Sequence, residues 1–353
     1  MAYATGSGTY IDLMAAVLAF ANLDGWTLTG GTWPISKGNV RGVDWDSYTA
    51  AANDHTNGGA AKTIRYGRLA IGTSPADATA NVTGGSAPVI PNMEYAIDQW
   101  FIFSDPSVGN FIHVVFQFAN GPDAQVYQHF SFGEIDKHGM GYTGIAYAAT
   151  NPMRGFNVGN FVNSNSGYDH NAGAYARFHR IFTGRLGYSS SDYFVGPTSV
   201  LWIADPTISP FPVDGLWPLA DGLYDHARLL DTYGHGSTSF NTNSTTNLGQ
   251  NNCKMVNQAL WHSSQPYSGG VTLAPLPFFV ADRTGNSTLL KFMALGSFPA
   301  VRLCSMDTFL PGDEVTYGAD TWKLFPMLCK KDRGILDNTA NSAQVGFAYK
   351  KVI

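Results

Sequence analysis

The chain has 353 residues, and only 13% of them are Asp, Glu, Lys or Arg, about half the usual share. Its net charge of −5, with no Lys/Arg run, argues against direct nucleic-acid binding, because phosphate neutralisation needs a basic footprint. No stretch of about 18 apolar residues is present, so no membrane span is expected.

The length allows about two domains or one large β-rich domain. A chain of this size buries about 75% of its unfolded surface and needs no metal or disulfide to fold. The hydrophobic fraction, 44%, is ordinary. A surface rich in Asn, Thr, Tyr and Gly costs less to desolvate than a Lys/Glu surface. Such a surface suits a protein covered by neighbours; the alternative is a secreted β-protein with a neutral coat. The N-terminal MAYATGSGTY lacks a basic segment followed by an apolar one, so no signal peptide is expected. The three cysteines, Cys253, Cys304 and Cys329, form no CxxC and read as reduced thiols of a cytoplasmically made protein. Cys304 and Cys329 lie in apolar runs and are expected in the core.

The first predicted element is a helix from Tyr10 to about Leu23. Thr9 and Asp12 complete an [ST]-x-x-[DE] capping box, and Gly25 supplies the stop. Ile11, Met14 and Leu18 fall at i, i+3, i+7, with Leu13, Val17 and Phe20 broadening the stripe. Trp26 opens a strand that Gly30-Gly31 ends. Residues 31–90 are poor in pattern, and only Ile64–Ile71 reads as a strand. The runs MEYAIDQWFIF, NFIHVVFQF and AQVYQHFSFGEI then predict an antiparallel meander with one face in the core, its turns at Ser104–Gly109 and Asn120–Asp123. Residues 150–275 are irregular, with strand-like islands at Tyr175–Phe182 and Ser199–Ala204. Within them 234–252 hold almost nothing apolar, a composition that suits a docking arm ordered by a neighbouring subunit or, as the alternative, a spacer or solvated loop over the protein's own core. Strands return at PLPFFVAD, STLLKFMALG, AVRLCSM and TWKLFPML, and AQVGFAYKKVI closes the chain. The fold class expected is mainly β (α+β). Its parts are residues 1–149 (helix and meander), a loop-rich insertion at 150–275, and a C-terminal β region at 276–353 packing with the first. FIFSDP, LWIADP and FFVADR echo one another, a weak mark of duplication or of a shared way of ending strands.

No GxSxG, HExxH, P-loop or CxxC pattern is present, and no catalytic residue, metal site or cofactor is expected. Gly139-Met-Gly141-Tyr-Thr-Gly144 fits GxGxxG, but IAYAATNP follows it in place of an amphipathic helix, so a turn is expected. His113 and His129 lie in adjacent predicted strands and could share a face; satisfied structural histidines are the plainer reading. Asp44-Trp-Asp46 lacks the remaining ligands of a calcium loop. Trp33, Trp45, Tyr48, Trp217, Tyr224, Tyr233, Trp261 and Tyr267 sit in loop-like sequence. The last five are candidate interface residues, against the alternatives of a satellite core under long loops or a glycan site.

Three blocks resemble virion proteins of tailed bacteriophages. They are ATGSGTYIDLMAAVLAFANLDGWTL, QVYQHFSFGEIDKHGMGYTGIAYAAT, and GDEVTYGADTWKLFPML with the closing VGFAYKK. The resemblance covers about a third of the chain, in separate blocks. It implies a structural subunit of the tail, baseplate or collar: a homo-oligomer that docks to other virion proteins, resides in the virion, is made in the host cytoplasm and is not an enzyme. A receptor- or glycan-binding virion protein that contacts host surface glycan is the second expectation. A polysaccharide-degrading enzyme, which would need two carboxylates with opposed pKa shifts in one groove, is the third.

Overall fold

A computed structural model describes residues 2–54, 60–71, 89–90, 93–120, 127–137, 146–150, 156–157, 201–204, 216–218, 227–229, 273–282, 291–306, 308–326 and 345–352. From the N-terminus run β1 (Tyr3–Gly8), α1 (Tyr10–Leu23), β2 (Thr27–Thr29), β3 (Thr32–Lys37), β4 (Val40–Asp54), β5 (Ala60–Ile71) and β6 (Val89–Ile90). The meander follows as β7 (Ile97–Phe103), β8 (Phe111–Phe118) and β9 (Tyr127–Glu134), then β10 (Asp136–Lys137), β11 (Ala146–Thr150) and β12 (Phe156–Asn157). Short strands β13 (Leu201–Ala204), β14 (Leu216–Pro218) and β15 (Ala227–Leu229) precede β16 (Ala274–Asp282), β17 (Lys291–Ser305), β18 (Glu314–Tyr317), β19 (Asp320–Pro326) and β20 (Val345–Lys351). The described residues are thus mostly strand with a single helix, in antiparallel sheets, as the sequence predicts.

Three sheets result. The central one has the order β1-β7-β8-β9-β11-β13-β14. A second, β2-β3-β4-β5-β6 with β12 against β4, packs with α1 on one face of the centre. The third, β15-β16-β17-β20-β19-β18 with β10 against β17, covers the other face.

The meander therefore departs from the expectation of one buried face: both faces of β8 and β9 are covered. Trp100, Ile102, Ile112, Val114, Phe116, Phe130 and Phe132 join the core shared with α1 and the second sheet. The alternate residues Phe101, Phe103, His113 and His129 meet Phe325, Phe347 and Tyr349 of the third sheet. The near-continuous apolar runs fit strands buried on both sides better than strands with a wet face.

The helix forms where expected. Thr9 caps it, accepting from the Asp12 amide, while the Asp12 carboxylate accepts from the Thr9 amide. Its buried face is rotated from the predicted stripe. Leu13, Met14, Val17, Phe20 and Ala21 are buried, Leu18 is half-buried, and Ile11 is 62% exposed.

Residues 31–90 hold far more strand than the sequence predicts. Gly30 and Gly31, at φ +60° and +82°, turn β2 into β3, and β5 pairs with β4 over its whole length, from Val43↔Ile71 to Asp54↔Ala60. Gly67 explains part of the weak signal. A Cβ there would lie 1.6 Å from the Trp45 ring, so the glycine makes room for an aromatic side chain. STLLKFMALG and AVRLCSM, expected as two strands, are one: β17 passes through Ala300 at φ +51° without ending. The islands at 175–182 and most of 150–275 lie outside the described residues. Leu201–Ala204, which pairs with β11, bears out the second island.

Candidate assembly surface

The histidines the sequence singled out do share a face, and that face is sealed. His113 and His129 are 0% and 1% exposed between the central and third sheets. His113 Nε2 meets the Pro299 carbonyl at 2.7 Å, which can only accept, so Nε2 carries the proton and Nδ1 accepts from the Ser131 hydroxyl. The single Ser131 proton being used, the Tyr147 hydroxyl donates to Ser131 Oγ. His129 repeats the arrangement: Nε2 donates to the Pro326 carbonyl and Nδ1 accepts from the Tyr349 hydroxyl. Burial pushes both imidazoles down to about 3 and the Tyr147 and Tyr349 hydroxyls up. Each ring spends both nitrogens inside the fold, so the pair acts as a neutral clamp between two sheets.

Other ionisable groups near the core serve the same kind of role. Asp24, buried beside α1, accepts from Lys37, Trp26 and Ser104. Lys350 of β20 bridges Asp105, in the turn after β7, and Asp320. Burial raises the Asp105 pKa, but the hydrogen bonds of Ser107 and Lys350 outweigh it and hold the carboxyl low. Among the described residues, no three His, Cys, Asp or Glu side chains converge as metal ligands. Cys304 is fully buried in the third sheet, where burial pushes its thiol up, a core residue as expected. Cys253, Cys329 and Gly139–Gly144 lie outside the described residues; the segment after those glycines is strand β11, not the helix a dinucleotide fingerprint needs.

The surface feature that stands apart is the N-terminal unit. β1 is the edge of the central sheet; among the described residues it pairs with β7 alone. Its sequence, YATGSG, carries no charge and no proline; the guards at this edge are a register shift between Gly6 and Gly8 and the Lys351 ammonium of β20 over the Tyr3 ring. Through Thr9 it enters α1, whose outward face is formed by Ile11, Asp12, Ala15, Ala19, Asn22 and Leu23. Ile11 and Leu23 are 62% and 60% exposed. Asp12 is the only charged residue of the helix, and hydrogen bonds from the Thr9 amide and hydroxyl lower its pKa. A surface helix ordinarily carries charge opposite its buried stripe, whereas one apolar all round is ordinarily buried.

Of the five candidate interface residues, Trp217 lies in β14, at the opposite edge of the central sheet, paired with Ile203. Tyr224, Tyr233, Trp261 and Tyr267 lie outside the described residues. The Ile11–Leu23 face is not among those candidates, because the sequence reading assigned Ile11 to the buried stripe. Its signal was a helix with one charge in fourteen residues. No helix among the described residues is long and apolar enough to cross a membrane. No family model and no curated protein matches the chain.

Proposed function

We propose that the chain is a structural subunit of a tailed-bacteriophage particle, in its tail, baseplate or collar, acting through oligomeric assembly and docking to other virion proteins. The observation that carries the reading is the N-terminal unit: an uncharged edge strand joined to a helix whose outward face exposes Ile11 and Leu23 and carries one charge, Asp12. Such surface is stable in water only at a cost and is accounted for when a neighbour covers it. The low overall charge supports the same view, since interface cores are depleted in charged residues. The three blocks that resemble tailed-phage virion proteins supply the particle; the first of them spans this N-terminal unit.

The experiment is genetic. A phage whose copy of this gene is removed is complemented with a tagged copy. Purified particles should carry the tagged chain, and uncomplemented infections should yield incomplete, non-infectious particles. Normal infectious particles formed without the chain would refute the proposal. Specific binding of host glycan by the chain, with particles complete in its absence, would move the function to host attachment.

A further inference from the structure

We infer that mild acid releases the third sheet from the central sheet while the core on the opposite face of the central sheet stays closed, so that the layer holding His113 and His129 is an acid-sensitive latch. The device belongs to the fold and does not depend on what the chain assembles with. Among the described residues these are the only two histidines, and both lie on the side of β8 and β9 that meets the third sheet. The core on the other side, shared with α1 and the second sheet, contains none. One interface therefore titrates through imidazole and the other does not.

The hydrogen bonds define what a proton does there. Each Nε2 donates across the interface, to the carbonyl of Pro299 in β17 or of Pro326 in β19. Each Nδ1 accepts from a hydroxyl, that of Ser131 or of Tyr349. A proton on Nδ1 turns the acceptor into a donor aimed at a group that already donates to it. The hydroxyls must turn away, and a cation is left among Phe103, Phe325 and Phe347. The titratable groups facing the rings are Tyr147 from β11 and Tyr349 from β20, with Cys304 acting on Tyr349 from β17; burial pushes all three up. At the rim stand Tyr3, raised by burial, and Tyr127, pushed up to about 12 by burial and by Asp98. Lys323 lies over Phe101 and Lys351 over Tyr3, while Glu314, paired with both, and Asp105, paired with Lys350, are held low. These phenols and the thiol stay neutral, and these two carboxyls stay ionised, where the histidines titrate. Burial keeps both rings neutral in the closed interface, against the one carbonyl each that favours charge. Opening returns each ring to water and to its ordinary proton affinity, so acid favours the open form. The third sheet leaves as a unit. It keeps its own core on the far side, with Cys304, Met306, Trp322, Leu324 and Ala348, and β10, which follows β9 directly, stays paired with β17 as a tether.

The test places a thiol on each face of one strand of the full chain. Val115 follows His113 by two residues on β8 and shares its side, whereas Val114 belongs to the core with α1; both are fully buried. Val115→Cys and Val114→Cys proteins are labelled with a dipyridyl disulfide, which exchanges with thiols in acid, at steps from pH 7.5 to 4.5. Peptide mass spectrometry reads each site against the urea-unfolded chain at the same pH. Protection at 115 should be flat above pH 7 and fall by about 100-fold per pH unit well below 6.5, since opening takes up two protons. Protection at 114 should stay higher by about tenfold or more at pH 5, because its core opens only with the whole fold. Adding His129→Gln or His113→Gln to Val115→Cys should reduce the dependence to about tenfold per pH unit. The comparison of 115 with 114 stands even where a glutamine variant fails to fold. Equal protection at 114 and 115 at every pH would show the whole fold opening at once and overturn the release. Protection at 115 that persists unchanged to pH 4.5, or an acid dependence that the glutamine variants leave intact, would overturn the latch.

Discussion

Acidification tests the clamp between the central and third sheets. His113 and His129 are held neutral by burial, with pKa values near 3 in the fold against about 6.5 when exposed. Below pH ~6.5 the unfolded chain takes up two protons that the folded chain refuses, so stability falls as pH falls. The slope is about 1.4 kcal/mol per pH unit for each histidine, or about 2.7 for both, and from pH 6.5 to 4.5 the loss is about 5 kcal/mol. That equals the whole stability of many domains. The carboxylates held low in the fold, such as Asp105 and Glu314, work in a separate window: their contribution is present above the unfolded carboxylate range and is lost only below about pH 4.5. Urea unfolding followed by tryptophan fluorescence should therefore give a stability that is flat above pH 7 and falls steeply between 6.5 and 4.5. His129→Gln should roughly halve the slope, whatever it does to stability at neutral pH. Stability unchanged down to pH 4.5, or a slope the same in wild type and His129→Gln, would refute the neutral-clamp assignment.

Val17→Asp, which buries an unpaired charge among α1, the second sheet and the meander, should cost several kcal/mol in urea unfolding. Ile11→Asp, on the exposed side, should change stability by about 0.5 kcal/mol or less. Gly67→Val should drive a side chain into the Trp45 ring and lower the melting temperature by about 1–4 °C, the loss that an overpacking cost of about 1–3 kcal/mol brings to a chain of this length. Deletion of residues 237–250 should leave the melting temperature almost unchanged, because loop length alters closure entropy by only about 1 kcal/mol. The same deletion should abolish incorporation into particles. Incubation with host surface polysaccharides or peptidoglycan should release no product; turnover lost on mutating a single acid would contradict a purely structural role.

Much of this fold is written in local chemistry. The Thr9–Asp12 box and Gly25 place both ends of the helix, and the alternation in FIHVVFQF with its flanking turns places β7 to β9. What the sequence hid was decided by tertiary contacts. β4 and β5 mix Gly, Ala and Thr with Asp, Arg and Lys among their apolar residues, and their pattern is clear only once the Trp45 ring is seen lying over Gly67. The second buried face of the meander depends on strands that return about two hundred residues later, as the contacts of His113 with Pro299 and His129 with Tyr349 show. The rotation of the helix stripe had the same cause. With apolar residues on every side of α1, periodicity could not say which side faces the core, and that ambiguity concealed the outward face. Of the candidate interface aromatics, only Trp217 falls among the described residues, in strand β14 where the sequence reads as loop-like.

The most direct measurement of the assembly role is the copy number of this chain in purified, infectious particles, determined by quantitative mass spectrometry against a known major virion protein. A structural subunit is expected at a fixed copy number greater than one per particle, retained through density-gradient purification and high salt. A chain abundant in the infected lysate but absent from those particles would contradict the role.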